Sequence, residues 1–255
     1  MRKSLFNRGQ VLPALGGNIV AAKAFSRKQA VFNEKAQQYA RQGVITTPGY
    51  LRLETLAPGS ATSIFNFNTL DTSGTKTATE RRLKLADTFT VTDISFYVGT
   101  GACTLNAPTP AQYASQELNT FPNPQVAAIA TKSDELEAIY NGYLSLRIDT
   151  TTFIDSIPMR QFYRVGTSQK GVGAATGVTG IQANEWPLSM YGRTELLPTI
   201  ELNGQANIEF SINLPNATDC SGVSTSFFCN MVLVLQGFLN QGAATVQRSI
   251  QQKLR

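Results

Sequence analysis

Apolar and polar residues follow two different periods along this chain. Through residues 18–42, NIVAAKAFSRKQAVFNEKAQQYARQ, the rings Phe25, Phe32 and Tyr39 recur every seven positions, with Ala36 on the same side. That spacing is one face of an α-helix. Ala, Gln, Lys and Arg favour the helix, and neither Pro nor Gly interrupts it. Asn18 is placed to cap it and Gly43 to end it. Lys23, Arg27, Lys35 and Arg41 take most of the remaining surface.

After Gly43 the period becomes two, the signature of half-buried strands. GYLRLETL puts Leu51 and Leu53 on one side, and SIFNFNTL does the same with Phe65 and Phe67 against Asn66 and Asn68. In DTFTVTDISFYVGTG the alternation of Phe89 and Val91 slips by one position before Ile94, Phe96 and Val98 resume it. A slip of one residue predicts a β-bulge or a strand bending between sheets.

Residues 101–131, with Pro108, Pro110, Pro122 and Pro124, read as a long surface excursion. A short helix is predicted over Ser133 to Tyr140, followed by strands at YLSLRID, TTFIDSI and RQFYRV. A glycine-rich span from Gly166 to Gly192 reads as a second long loop. TIELNGQANIEFSINLP predicts a β-hairpin, because Asn203-Gly204 supplies a type I′ turn and Ile208, Phe210, Ile212 and Leu214 alternate with polar neighbours. The run Val232 to Leu235 is apolar on both faces and predicts a central strand covered on both sides.

Composition adds an asymmetry to this all-β picture. The first 42 residues carry eight cations, Arg2, Lys3, Arg8, Lys23, Arg27, Lys28, Lys35 and Arg41, against the single acid Glu34, whereas the remainder holds 14 basic and 16 acidic residues. The overall +5 therefore belongs to an arm, and a basic arm on a near-neutral body reads as an interaction tail. The tail from Gln241 onward adds Arg248, Lys253 and Arg255. Charged residues make up 15% of the chain, below the usual ~25%, which points to a surface largely covered by other protein. The start, MRKSLFNRGQVLPALGG, lacks the apolar run of a signal peptide, and no stretch approaches the ~20 apolar residues of a membrane span. Synthesis in the cytoplasm as a soluble chain is expected.

Candidate chemistry is sparse. With no histidine in the chain, triads built on an imidazole base and the common imidazole metal sites are excluded. Three scattered cysteines, Cys103, Cys220 and Cys229, lack zinc spacing; Cys220 and Cys229 either close a hairpin loop or remain buried thiols. Asp149 and Asp155 flank a turn and could approach as a glycosidase pair, or serve as turn residues. Asp134, Glu135 and Glu137 could hold a cation or complement a helix dipole. KGVGAATGVTG fits no phosphate-loop fingerprint. Arg81, Arg82 and Lys84 either bind phosphate or are solvated at a strand start. Trp186, the only tryptophan, is an interface candidate or a lid on its own core. The stripe of Phe25, Phe32 and Tyr39 docks the helix on protein, or the helix lies on a membrane surface or against nucleic acid. No catalytic residue, metal or cofactor is expected.

A basic arm, an amphipathic helix and about eight strands with two long excursions together resemble a bacteriophage jelly-roll major capsid protein. The resemblance covers roughly residues 44–240 and is carried by TERRLKLADTFTVTDISFYVGTG, NGYLSLRIDTTTFIDSIPMRQFYRV and LPTIELNGQANIEFSINLP. It implies an antiparallel jelly-roll β-sandwich, single in preference to double, over 44–240, with the arm and helix at 1–43 and a basic tail at 241–255. It also implies a coat subunit of a virion that self-associates into a shell beside other virion proteins and takes no small-molecule substrate. The cations expected to face packaged nucleic acid or an internal membrane are Arg2, Lys3, Arg8, Lys23, Arg27 and Lys28. The alternative is a glycan- or receptor-binding β-sandwich of a phage fibre, spike or minor capsid protein, which predicts exposed aromatic rings gathered on one face.

Overall fold

Inward-facing side chains of two antiparallel sheets meet in one core. The computed structural model describes residues 19–57, 61–72, 76–102, 108–121, 133–164, 169–171, 181–183, 192–218 and 227–246. A five-stranded sheet is ordered β1 (Ile45–Leu56), β11 (Phe227–Gln241) and β3 (Thr88–Ala102). The far side of β3 pairs with β9 (Arg193–Asn203) along its first half and with β4 (Glu117–Asn119) near its end. A four-stranded sheet is ordered β2 (Thr62–Asn68), β10 (Ile208–Thr218), β5 (Tyr143–Ile148) and β6 (Thr151–Pro158). Leu53, Phe96, Leu233 and Leu235 from the first sheet and Phe65, Leu146, Phe210 and Ile212 from the second are all buried in the shared core. The alternation is thus satisfied by packing sheet on sheet.

The slip in β3 is a bulge at Thr92. Asp93 pairs with Gln236 while Val91 pairs with Gly237, leaving Thr92 without an opposite residue on β11. The same interruption appears against β9, between Val91 and Asp93. Val91 and Ile94 both enter the core as a result, and Asp93 turns to the outer face. Gly237 is demanded by the close approach of the bulged strand: a Cβ there would lie 1.8 Å from the Thr90 carbonyl oxygen.

β9 and β10 do not form the hairpin that the Asn-Gly pair predicts. β9 pairs with β3, whereas β10 pairs with β2 and β5, so the turn carries the chain from one sheet to the other. The Ala206 N–H donates to the Asn203 carbonyl and the Gln205 N–H to the Asn203 side chain, an Asx-type turn. Glycine serves here for closeness, since a Cβ at Gly204 would sit 2.2 Å from the Lys84 carbonyl oxygen. Both strands are inward-facing on alternate residues, and opposite sheets bury them better than mutual pairing would.

Residues 160–164 of RQFYRV are also not a strand. Met159–Phe162 form a 3₁₀ turn that buries Met159 and Phe162 on the core. The excursion over 101–131 contains β4 and the helix α2 (Pro110–Ala114), which opens on a capping box of Thr109 and Gln112. The second excursion contains a short antiparallel pair, β7 (Gln169–Gly171) and β8 (Ile181–Ala183). A helix α3 (Ser133–Ala138) continues into a 3₁₀ turn at Ile139–Asn141 and buries Leu136, Ile139 and Tyr140.

Before β1 runs α1 (Ile19–Ala40), which ends where Gly43 takes φ +71°. A helical turn over 243–246 follows β11, and Ala243 closes a small second cluster with Tyr39 and Val44. The C-terminal end of α1 and the turn after β11 thus meet beside the five-stranded sheet.

Candidate functional site

Outward-facing residues of the five-stranded sheet carry an unusual amount of buried polarity. Thr88, Thr90, Ser95, Asn230 and Asn240 are all inaccessible to solvent, as is the apolar Val232 of the central strand β11. A wet sheet face does not do this; the outer face is covered.

Part of the cover is α1, seated by both packing and charge. The Phe32 ring lies 5.2 Å from that of Phe238. Lys28 donates to Asp93 at 2.6 Å, and Lys35 donates to Glu201 at 2.6 Å. Tyr39, buried at the helix end, donates its hydroxyl to the second oxygen of the Glu201 carboxylate. Asp93 is held for this contact because Thr92 donates to its other oxygen at 2.7 Å. Arg27 sits on the exposed side of the helix. Between helix and sheet lies a groove of about 360 Å³, lined by Lys28, Phe32, Pro48, Asp93, Arg193 and Phe238 among others.

A second covered region is a carboxylate network near the other end of β1. The Glu54 side chain, fully buried, receives Arg52 and Thr79 on one oxygen, each at 2.6 Å, and Thr77 and Asn230 on the other, each at 2.9 Å. Glu80 is equally buried and receives Arg82 at 2.8 Å and the Thr77 N–H at 3.3 Å. With every lone pair of Glu54 engaged, this pair ties residues 76–82 to the sheet.

The run Arg81, Arg82, Lys84 is split by the fold. Arg82 turns inward to Glu80, while Arg81 and Lys84 are exposed. The Arg81 backbone bonds to Arg52 in both directions, extending the free edge of β1 by one bridge. Its guanidinium carbon lies 5.0 Å from the ring centre of Tyr50, which is 45% exposed. Both line a cavity of about 420 Å³ together with Lys76, Lys84, Asp87 and Gln241.

The outer face of the four-stranded sheet is polar. Ser145, Ser211 and Asn213 are hydrogen-bonded to one another across β5 and β10, and Arg147 pairs with Glu209 at 3.2 Å. Ile64 and Tyr143, both exposed, stand on either side of Asn213.

Of the cations assigned to the arm, Arg2, Lys3 and Arg8 lie outside the described residues, as does Trp186. Lys23 and Phe25 fall within α1, but their side chains are likewise outside the described part. Cys103 and Cys220 are not among the described residues, and Cys229 is buried in the core. Asp149, at φ +52°, accepts the Asn207 N–H at 2.8 Å as a turn residue, and Asp155 is exposed on β6. Glu137 pairs with Arg160 at 3.0 Å. Among the described residues no three His, Cys, Asp or Glu side chains gather as metal ligands, and no helix is long and apolar enough to cross a membrane.

Sequence reasoning missed the Glu54–Glu80 network and the role of Asp93. Glu54 shares its strand with Arg52 and gives no local sign of being covered; Asp93, by contrast, was marked by the slip in β3. Searches against protein-family models, curated proteins and solved structures returned no match.

Proposed function

We propose that this chain is a self-assembling coat subunit, with a single jelly roll as its body and a basic arm turned toward packaged nucleic acid or an internal membrane. The strand order carries the reading. Counting the eight long strands in sequence, one sheet runs first, eighth, third, sixth and the other second, seventh, fourth, fifth. That order supports two interleaved Greek keys closed into a jelly roll. Two further observations support it. A helix from a strongly basic segment is fastened to one sheet, and the opposite sheet presents a polar face with exposed Ile64 and Tyr143 for neighbouring subunits. The glycan-binding alternative draws on gathered aromatic rings, yet the exposed rings among the described residues, Tyr50, Tyr143 and Phe153, lie on three different strands.

Light scattering and negative-stain imaging of the purified chain across salt concentration, with and without nucleic acid, test the reading. Shells or regular multimers whose formation depends on salt and on residues 1–42 are expected. A salt-indifferent monomer would overturn it.

A further inference from the structure

We propose that the cavity beside Tyr50 and Arg81 binds a nucleobase together with its phosphate. Three features of the cavity point to that chemistry. The first is a platform: the Arg81 guanidinium lies over the Tyr50 ring and offers a delocalised cationic surface, and a planar base stacks on either group. The second is charge. Arg82 is neutralised by Glu80 and Lys76 faces Asp71 at 3.4 Å, whereas Arg81 and Lys84 have no acidic partner among the described residues. The acid Asp87 also lines the cavity, but it is 8% exposed and one oxygen accepts the Gly242 N–H at 2.8 Å. Excess positive charge on the wall therefore comes from Arg81 and Lys84, the cations placed to receive a phosphate.

The third feature is rigidity. Arg81 is held by two backbone bonds to Arg52, and Lys84 begins a turn closed by the Asp87 N–H, so both cations stand on fixed backbone. A volume of about 420 Å³ falls within the ~300–1,000 Å³ of small-molecule sites. A surface Arg-Tyr pair alone would be unremarkable; one lining a cavity with a second unpaired cation is a site for a base and its phosphate.

The test uses the full chain and fluorescence anisotropy with a labelled oligothymidylate of about 15 nucleotides, set against an abasic strand of equal phosphate count. The basic arm reads phosphates only, so it binds both strands alike. The platform adds stacking, and the thymidylate strand should bind about tenfold more tightly. Tyr50→Ala should abolish that preference while leaving abasic binding near its parent value, and Arg81→Lys, which keeps the charge but loses the planar group, should abolish the preference too. Lys84→Gln should weaken both strands together. Absence of a preference in the parent, or its survival in both Tyr50→Ala and Arg81→Lys, would overturn the proposal. Competition by a mononucleotide identifies free nucleotides as the ligand; its failure, with the preference intact, identifies the polymer. The site does not depend on shell assembly, and a chain that never assembles but keeps the preference retains it.

Discussion

Lys28 on α1 and Asp93 on β3, sixty-five positions apart, meet at 2.6 Å because a single extra residue, Thr92, turns Asp93 out of the core. Without the bulge, regular alternation would send the carboxylate inward beside Val91. The bulge therefore makes the helix seat, and the sheet irregularity and the helix contact are one feature.

The pair should be measurable as a coupling. A double-mutant cycle of Lys28→Met and Asp93→Asn, followed by chemical denaturation, is expected to give about 1 kcal/mol of interaction, since Lys28 is partly exposed while Asp93 is not. Either single variant should speed hydrogen exchange in α1 ahead of the strands. A coupling indistinguishable from zero would mean that Phe32, Lys35 and Tyr39 seat the helix without this pair.

Gly237→Ala tests the bulge from the other strand. A methyl group would have to displace the Thr90 carbonyl, which is backbone and cannot swing aside. We expect a loss of about 3–5 kcal/mol, at the high end for one substitution, read as a fall in the urea midpoint. A loss under about 1 kcal/mol would show that β3 and β11 shift register cheaply.

Glu54→Gln replaces an acceptor of four hydrogen bonds with a group that must aim its own N–H₂ at two donors. Destabilisation of about 2–4 kcal/mol is expected, with residues 76–82 becoming susceptible to protease first. Retention of parent stability would contradict the role given to the network.

Tyr140 sets an alkaline limit. Burial, reinforced by Tyr163 and Cys229, holds its hydroxyl well above the ordinary tyrosine value, and the hydroxyl has no hydrogen-bond partner among the described residues. An unfolded chain releases that proton near pH ~10 while the folded chain keeps it. The contribution is thus intact below pH ~10 and is lost as pH rises above it. Tyr140→Phe should be neutral or stabilising by up to about 1 kcal/mol and should flatten the alkaline fall, as followed by tyrosinate absorbance against circular dichroism.

Much of this fold was legible in the alternation of single residues. Leu51 and Leu53, Phe65 and Phe67, and the slip between Val91 and Ile94 each name a strand, its inner face or its bulge. Pairing was less so. Asn203-Gly204 has the chemistry of a hairpin, but partner choice is decided by which sheet buries Leu202 and Phe210, a property of the assembled core. The 3₁₀ turn at Met159–Phe162 escaped for a related reason, because Phe162 in RQFYRV satisfies the core from a turn as well as from a strand. At the candidate sites, composition flagged the basic helix and the Arg81 run; which cation turns in and which stays out is settled by Glu80 and Tyr50, distant in sequence or unremarkable in type.

The place of β11 governs when any of this can exist in the cell. It lies between β1 and β3, pairs with both along most of its length, and supplies the Phe238 on which α1 rests. The ten earlier strands of the described residues leave the ribosome before it does. Until residues 227–241 emerge, β1 has no ladder partner in its own sheet and α1 lacks its Phe238 contact, so the seat of the helix is completed only when β11 pairs.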